Sequence, residues 1–216
     1  MTTTTATESL SHVHRDHTGA RIGMWLFLFT EILLFGGLFL LYAVYRSKFS
    51  GDFHFCAGDL DTFLGAVNTA ILLTSSLTMV LAVAGLEKKN RKLASLFLGL
   101  TIFLGFVFLV NKFFEWSAKI GHGIFPDSVV LQSHPVGENI FYSLYYLMTG
   151  LHGLHVVIGM VILSVMIVFI SRTRKTNTGP GEELDRQSIQ LENSGLYWHL
   201  VDIIWIFLFP LFYLVT

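Results

Sequence analysis

Two histidines, His152 and His155, lie three residues apart inside a run from Ile140 to Ile170 that contains no Lys, Arg, Asp or Glu. On a helix that spacing turns both imidazoles to one side, and imidazole is the side chain that gains or loses a proton near neutral pH. Glu31 is the lone acid of another apolar stretch. Lys112 and Glu115 stand three apart in a third, and His199 and Asp202 three apart in a fourth, with Trp205 three further on. Ionisable groups in such surroundings are costly and face the interior of a bundle rather than lipid. The chemistry within reach of these residues is proton carriage, hydrogen bonding between helices and docking of another subunit.

Composition dictates what must hold these groups. The chain has 216 residues, 53% hydrophobic and 13% charged, and its mean hydropathy is +0.62. Soluble domains carry about 25% charged residues, so this is an all-α membrane protein, and its length allows one bundle. A net charge of −1 gives no case for nucleic acid. Cys56 is the single cysteine, which rules out an internal disulfide or a Cys-rich metal centre.

Residues 1–20 read as a flexible, polar N-terminal tail with neither the apolar core of a signal peptide nor the Arg-rich pattern of a transit peptide. Its His12, His14 and His17 could bind a divalent metal, but a short His cluster without a rigid scaffold seldom closes a site. Residues 21–216 then form one membrane domain with helices expected at about 21–46, 63–86, 93–117, 138–171 and 192–214. Glu31 falls about 15 Å into the first, near the midplane. A proton-carrying or lipid-gating carboxyl and a neutral carboxyl tying two helices together are level readings of it. In the second helix Gly65, Asn68 and Ser75, with Thr78 alongside, make a small polar seam suited to close packing. Lys112 and Glu115 can pair near the end of the third. Gly150, Gly153 and Gly159 let another backbone approach the fourth. His199 and Asp202 read either as a buried pair or as a docking surface. Segments 47–61 and 119–138 are expected as loops, and 172–190 as a polar linker.

Basic residues set the orientation. Ten fall on one side: Arg15 and Arg21, then Lys88, Lys89, Arg91 and Lys92, then Arg172, Arg174, Lys175 and Arg186. Four fall on the other: Arg46, Lys48, Lys112 and Lys119. The positive-inside rule puts the N-terminus in the cytoplasm and, after five crossings, the C-terminus outside. Glu31, His155 and Asp202 then share a broadly central depth.

Five stretches, one per helix, resemble subunit III of the haem–copper respiratory oxidases. They are RIGMWLFLFTEILLFGGLF (residues 21–39), NTAILLTSS (68–76), KFFEW (112–116), TGLHGLHVVIG (149–159) and YWHLVDIIWIFLF (197–209). They occur in the family's order and cover nearly the whole membrane region. The resemblance implies a non-catalytic helical subunit beside the catalytic subunit I, with subunit II, of a bacterial inner-membrane oxidase that reduces O₂ to water. It implies bound phospholipid, support of proton uptake, and no haem or copper in this chain. The family's intramembrane carboxyl maps onto Glu31, its buried histidines onto His152, His155 and His199, and its acid onto Asp202. Asn68, Glu115 and Trp205 complete the buried polar candidates for lipid or subunit contact. Long members have seven helices and the match here starts at their third, as in short bacterial members; a cleft that needs the first two is incomplete here or completed by another chain.

Short members accompany cytochrome c oxidases, quinol oxidases and nitric-oxide-reductase clusters, and these motifs do not separate them. A haem-b anchor would need histidines facing each other across helices, which His152 and His155 on one helix cannot provide. A small transporter would show repeats or broken helices; the chain has no repeat, and Pro210 is the one proline within a span.

Overall fold

The computed structural model describes residues 3–126, 128–172 and 180–214, with side chains from residue 19 onward except at 129 and 180–185. The His12, His14 and His17 side chains therefore lie outside the described residues. Helix α1 spans Thr3–Lys48, α2 Ser50–Gly58, α3 Thr62–Glu87, α4 Arg91–Gly121, α5 Val129–Gln132, α6 Val136–Ser171 and α7 Pro180–Phe209. A π-helical turn, Pro210–Leu214, follows α7. Five of these segments are long and apolar enough to cross a membrane: Gly19–Lys48, Thr62–Glu87, Arg91–Gly121, Val136–Ser171 and Arg186–Leu214.

Three differences from the sequence reading have local causes. The backbone of α1 is helical from Thr3, inside the segment read as a tail. Segment 47–61, read as a loop for its Gly51 and Gly58, contains α2, which buries Phe53, Cys56 and Ala57 against the bundle. Three apolar side chains on one face outweigh the intrinsic cost of glycine in a helix. Likewise α7 starts at Pro180, within the segment read as a linker, proline being well placed in a first helical turn.

The ends are capped as the sequence dictates. Asp61 and Asn90 accept hydrogen bonds from Leu64 N and Leu93 N, both 3.1 Å, at the starts of α3 and α4. Helix α3 ends in a Schellman motif: Asn90 N donates to Gly85 O at 2.9 Å and Lys89 N to Leu86 O at 2.8 Å. Lys89 takes the left-handed position, φ 58°, usually given to glycine.

Trp198 of α7 is the keystone of the packing. It is fully buried and donates from Nε1 to Ser75 Oγ of α3 at 3.0 Å. Its ring lies so close to Gly105 of α4 and Gly159 of α6 that a Cβ at either would come within 2.8 Å of it. The α3 seam is buried throughout: Gly65 lies under Phe209 and Tyr213, Asn68 Oδ1 accepts from Asn111 Nδ2 at 2.9 Å, and Thr78 meets Thr101 at 2.7 Å. Among the long helices, α1 leans mainly on α6 and α7, through Phe35–His155 and Phe27–Tyr197, and its Tyr42 packs on Phe212 of the π turn.

Candidate functional site

Glu31 and His155 meet across α1 and α6. Glu31 Oε2 lies 2.9 Å from His155 Nε2, and the two side chains are 14% and 10% exposed. The other ring nitrogen, Nδ1, lies 2.7 Å from the Leu151 carbonyl. A carbonyl only accepts, so Nδ1 carries a hydrogen. One further proton then resides between Nε2 and Oε2, giving either a neutral acid on a neutral imidazole or a carboxylate on an imidazolium. Phe35 packs edge-on against the imidazole at 5.3 Å, and Tyr197 donates to the His155 carbonyl at 3.1 Å. Asp202 does not join them: its carboxyl lies beside Ser76 of α3, away from this pair.

Lys112 and Glu115 do pair, at 3.0 Å, but inside the bundle rather than at an exposed interface: each residue is 7% exposed. Two tyrosines that the sequence reading missed complete the cluster. Lys112 Nζ donates to Tyr145 OH at 3.1 Å and Tyr213 OH at 2.8 Å, and both phenols donate to Glu115 Oε1, at 2.6 and 2.5 Å. An ammonium has three hydrogens and each phenol one, and together they supply the five bonds observed. Adding or removing a proton breaks that match, whereas the proton on the Nζ–Oε2 bond leaves all five intact whichever of the two atoms holds it. The rings of Tyr145, Trp205 and Tyr213 also stand 5.0–5.4 Å from the ammonium. Tyr213 reaches the cluster from the π turn. Pro210 has no N–H to continue the α-helical ladder, and the wider turn carries Tyr213 inward.

The remaining candidates separate. His152 is fully buried, between Phe108 at 5.4 Å and Trp205 at 5.2 Å, with no hydrogen-bond partner for either nitrogen among the described residues. It shares a side of α6 with His155 but not a neighbour. Trp205 donates to Thr69 Oγ1 at 3.0 Å. His199 and Asp202 do not pair: His199 Nδ1 lies 2.7 Å from Ser76 Oγ instead.

Where α4 and α6 meet the 47–61 and 122–135 segments, Lys119 reaches Asp59 at 3.2 Å, Tyr142 donates to the same carboxylate at 3.0 Å, and His134 lies 2.8 Å from Glu138. Cys56 is buried on α2, and burial, with the nearby Glu138 charge, pushes its thiol pKa up to about 12.

The family model described as cytochrome c oxidase subunit III matches residues 2–216. A cytochrome c oxidase subunit 3 of Synechocystis sp. is 33% identical over 97% of this chain and 82% of its own length. One from Thermostichus vulcanus is 29% identical over 96% of this chain and 93% of its own. A heme-copper oxidase subunit I+III of Aeropyrum pernix is 31% identical over 90% of this chain and 22% of that longer protein.

Proposed function

We propose, from the premise that the chain belongs to the cytochrome c oxidase subunit III family, that it is the non-catalytic subunit of a haem–copper terminal oxidase in a bacterial inner membrane. It is a multi-pass membrane protein. Its role is to brace the catalytic subunit I, alongside subunit II, and so support proton uptake during O₂ reduction. The observation that carries this reading is the Glu31–His155 pair, which joins two of the family stretches by a single shared proton. Both clusters are self-satisfied: the pair closes on Leu151, and Lys112 has a partner for every hydrogen. Groups so engaged hold helices together; they are poorly placed to bind a haem or copper, which this reading assigns to the partner subunits.

The Aeropyrum pernix relative is named as subunits I and III together, and this supports an intimate association with a subunit I here. A groove of about 350 Å³ lined by Tyr45, Asn139, Ile140, Ser143, Leu144 and Leu147, mostly apolar, supports contact with part of one acyl chain of a phospholipid. The charge bias of the loops supports a cytoplasmic N-terminus.

The test is deletion of this chain from the organism's oxidase. Initial turnover of the purified complex should survive and sustained turnover should decay faster than in the complete enzyme. Loss of every electron-transfer step on deletion, with the other subunits fully assembled, would overturn the non-catalytic role, as would stoichiometric haem or copper on the chain purified alone.

A further inference from the structure

The outer faces of the bundle treat polar groups in two ways. Exposed hydroxyls on the spans bond back to their own helix: Thr30 to Phe27 O, Thr74 to Ala70 O and Ser164 to Met160 O, each 2.7 Å. Such a group presents no unmet hydrogen bond to lipid. Ser76, half-buried near the middle of α3, does not do this. It reaches across to His199 Nδ1 of α7 at 2.7 Å. His199 is itself half-buried, and its Nε2 has no partner among the described residues. One turn further along α7, Asp202 is buried at 3% exposure. The Ser76 hydroxyl lies between that carboxyl and His199, so Asp202 faces into the α3–α7 seam while His199 Nε2 faces outward from it. Around this edge stand exposed apolar side chains: Leu73 and Val80 of α3 and Ile203 and Ile206 of α7.

A half-buried imidazole nitrogen left without a partner at mid-membrane depth is costly against hydrocarbon. The edge asks for a neighbour that is apolar over most of its length and carries one hydrogen-bonding side chain at that depth. That describes another transmembrane helix, not an acyl chain. We infer that the α3–α7 face centred on Ser76 and His199 is the surface on which a transmembrane helix of the catalytic oxidase subunit docks, offering a hydroxyl, amide or similar group to His199 Nε2. This rests on the oxidase reading given above and identifies the face it uses.

The experiment places a photo-crosslinking amino acid at Leu73, Ile203 or Ile206 in the intact membrane-embedded complex. Phe103 and Phe106, exposed on the apolar face of α4, are the controls. Adducts to the catalytic subunit from the first three positions, and lipid adducts only from the controls, are expected. Adducts to that subunit from the controls instead, or only to lipid or to a second copy of this chain from Leu73, Ile203 and Ile206, would overturn the docking face. Should the chain co-purify with no haem protein at all, the oxidase reading itself fails, a separate result. As a second readout, His199→Leu should weaken retention of the chain by the complex about tenfold, the effect of one interhelical hydrogen bond, with its own helix content unchanged. Unaltered retention would show that no bond forms at Nε2 and would overturn the polar contact.

Discussion

Glu31 Oε2 and His155 Nε2 stand 2.9 Å apart while His155 Nδ1 is held by the Leu151 carbonyl, so the pair owns a single movable proton. The neutral arrangement avoids desolvating two charges, and a protonated-carboxyl stretch assigned to Glu31 by infrared spectroscopy is expected. Glu31→Gln keeps a donor for Nε2 and should leave assembly intact. Glu31→Ala strands that nitrogen and should loosen the subunit by about 1–3 kcal/mol, read as loss on detergent purification. Initial turnover should survive both changes; its abolition by Glu31→Gln with the subunit still bound would make the carboxyl an obligatory proton carrier.

The five-bond cluster predicts strong non-additivity. Lys112→Met leaves Glu115 buried without its counter-charge and should cost about 3–5 kcal/mol. Lys112→Met with Glu115→Leu removes both charges and leaves Tyr145 and Tyr213, whose oxygens are already 3.4 Å apart, to bond each other. The double variant should be more stable than either single one in thermal melts followed by circular dichroism. Additive losses would contradict a closed network.

Cys56 should be inert. Buried and with its pKa near 12, the thiol stays protonated and out of reach of maleimides at pH 8 in the folded chain. The unfolded thiol ionises around 9.0 and the folded one does not, so this group subtracts stability as pH rises from there towards 12. Orientation is therefore read from introduced cysteines. Gly51→Cys on α2 has open space at its Cβ and should label from the outside. Lys88→Cys, exposed in the turn after α3, should label only in inverted vesicles. The reverse pattern would invert the topology.

Lys89 holds a left-handed conformation at the end of α3, which costs a non-glycine residue about 1 kcal/mol or more. Lys89→Gly should raise the unfolding free energy by about that amount, measured by denaturant titration, since both Schellman bonds involve backbone alone.

Hydropathy made the five membrane helices legible, because a span of lipid demands an uninterrupted apolar length. The i, i+3 spacing likewise announced Lys112 with Glu115, and depth put Glu31, His155 and Asp202 at one level. Choosing His155 from that level required the rotation of α6 against α1, which no local pattern encodes. Tyr145 and Tyr213 were hidden for a related reason: a tyrosine in an apolar run reads as packing until the neighbouring helix is placed. Tyr213 also depends on a π turn that breaks the 3.6-residue period. The bond from Ser76 to His199 replaced the anticipated pairing of His199 with Asp202 because α3 brought a hydroxyl closer than the next turn of α7 could bring a carboxyl.

The internal cancellation of charge in both clusters has an electrical meaning. Lys112⁺ and Glu115⁻ sum to zero, and Glu31 with His155 sums to zero wherever the proton rests. A full charge crossing the bilayer feels about 2.3 kcal/mol per 100 mV. A proton shifting by roughly 1 Å within a core about 30 Å thick feels on the order of 0.1 kcal/mol, well below thermal energy. The bundle thus carries ionisable side chains through the steepest voltage gradient of an energised membrane while remaining deaf to it, and its shape should be the same in a polarised and a depolarised membrane.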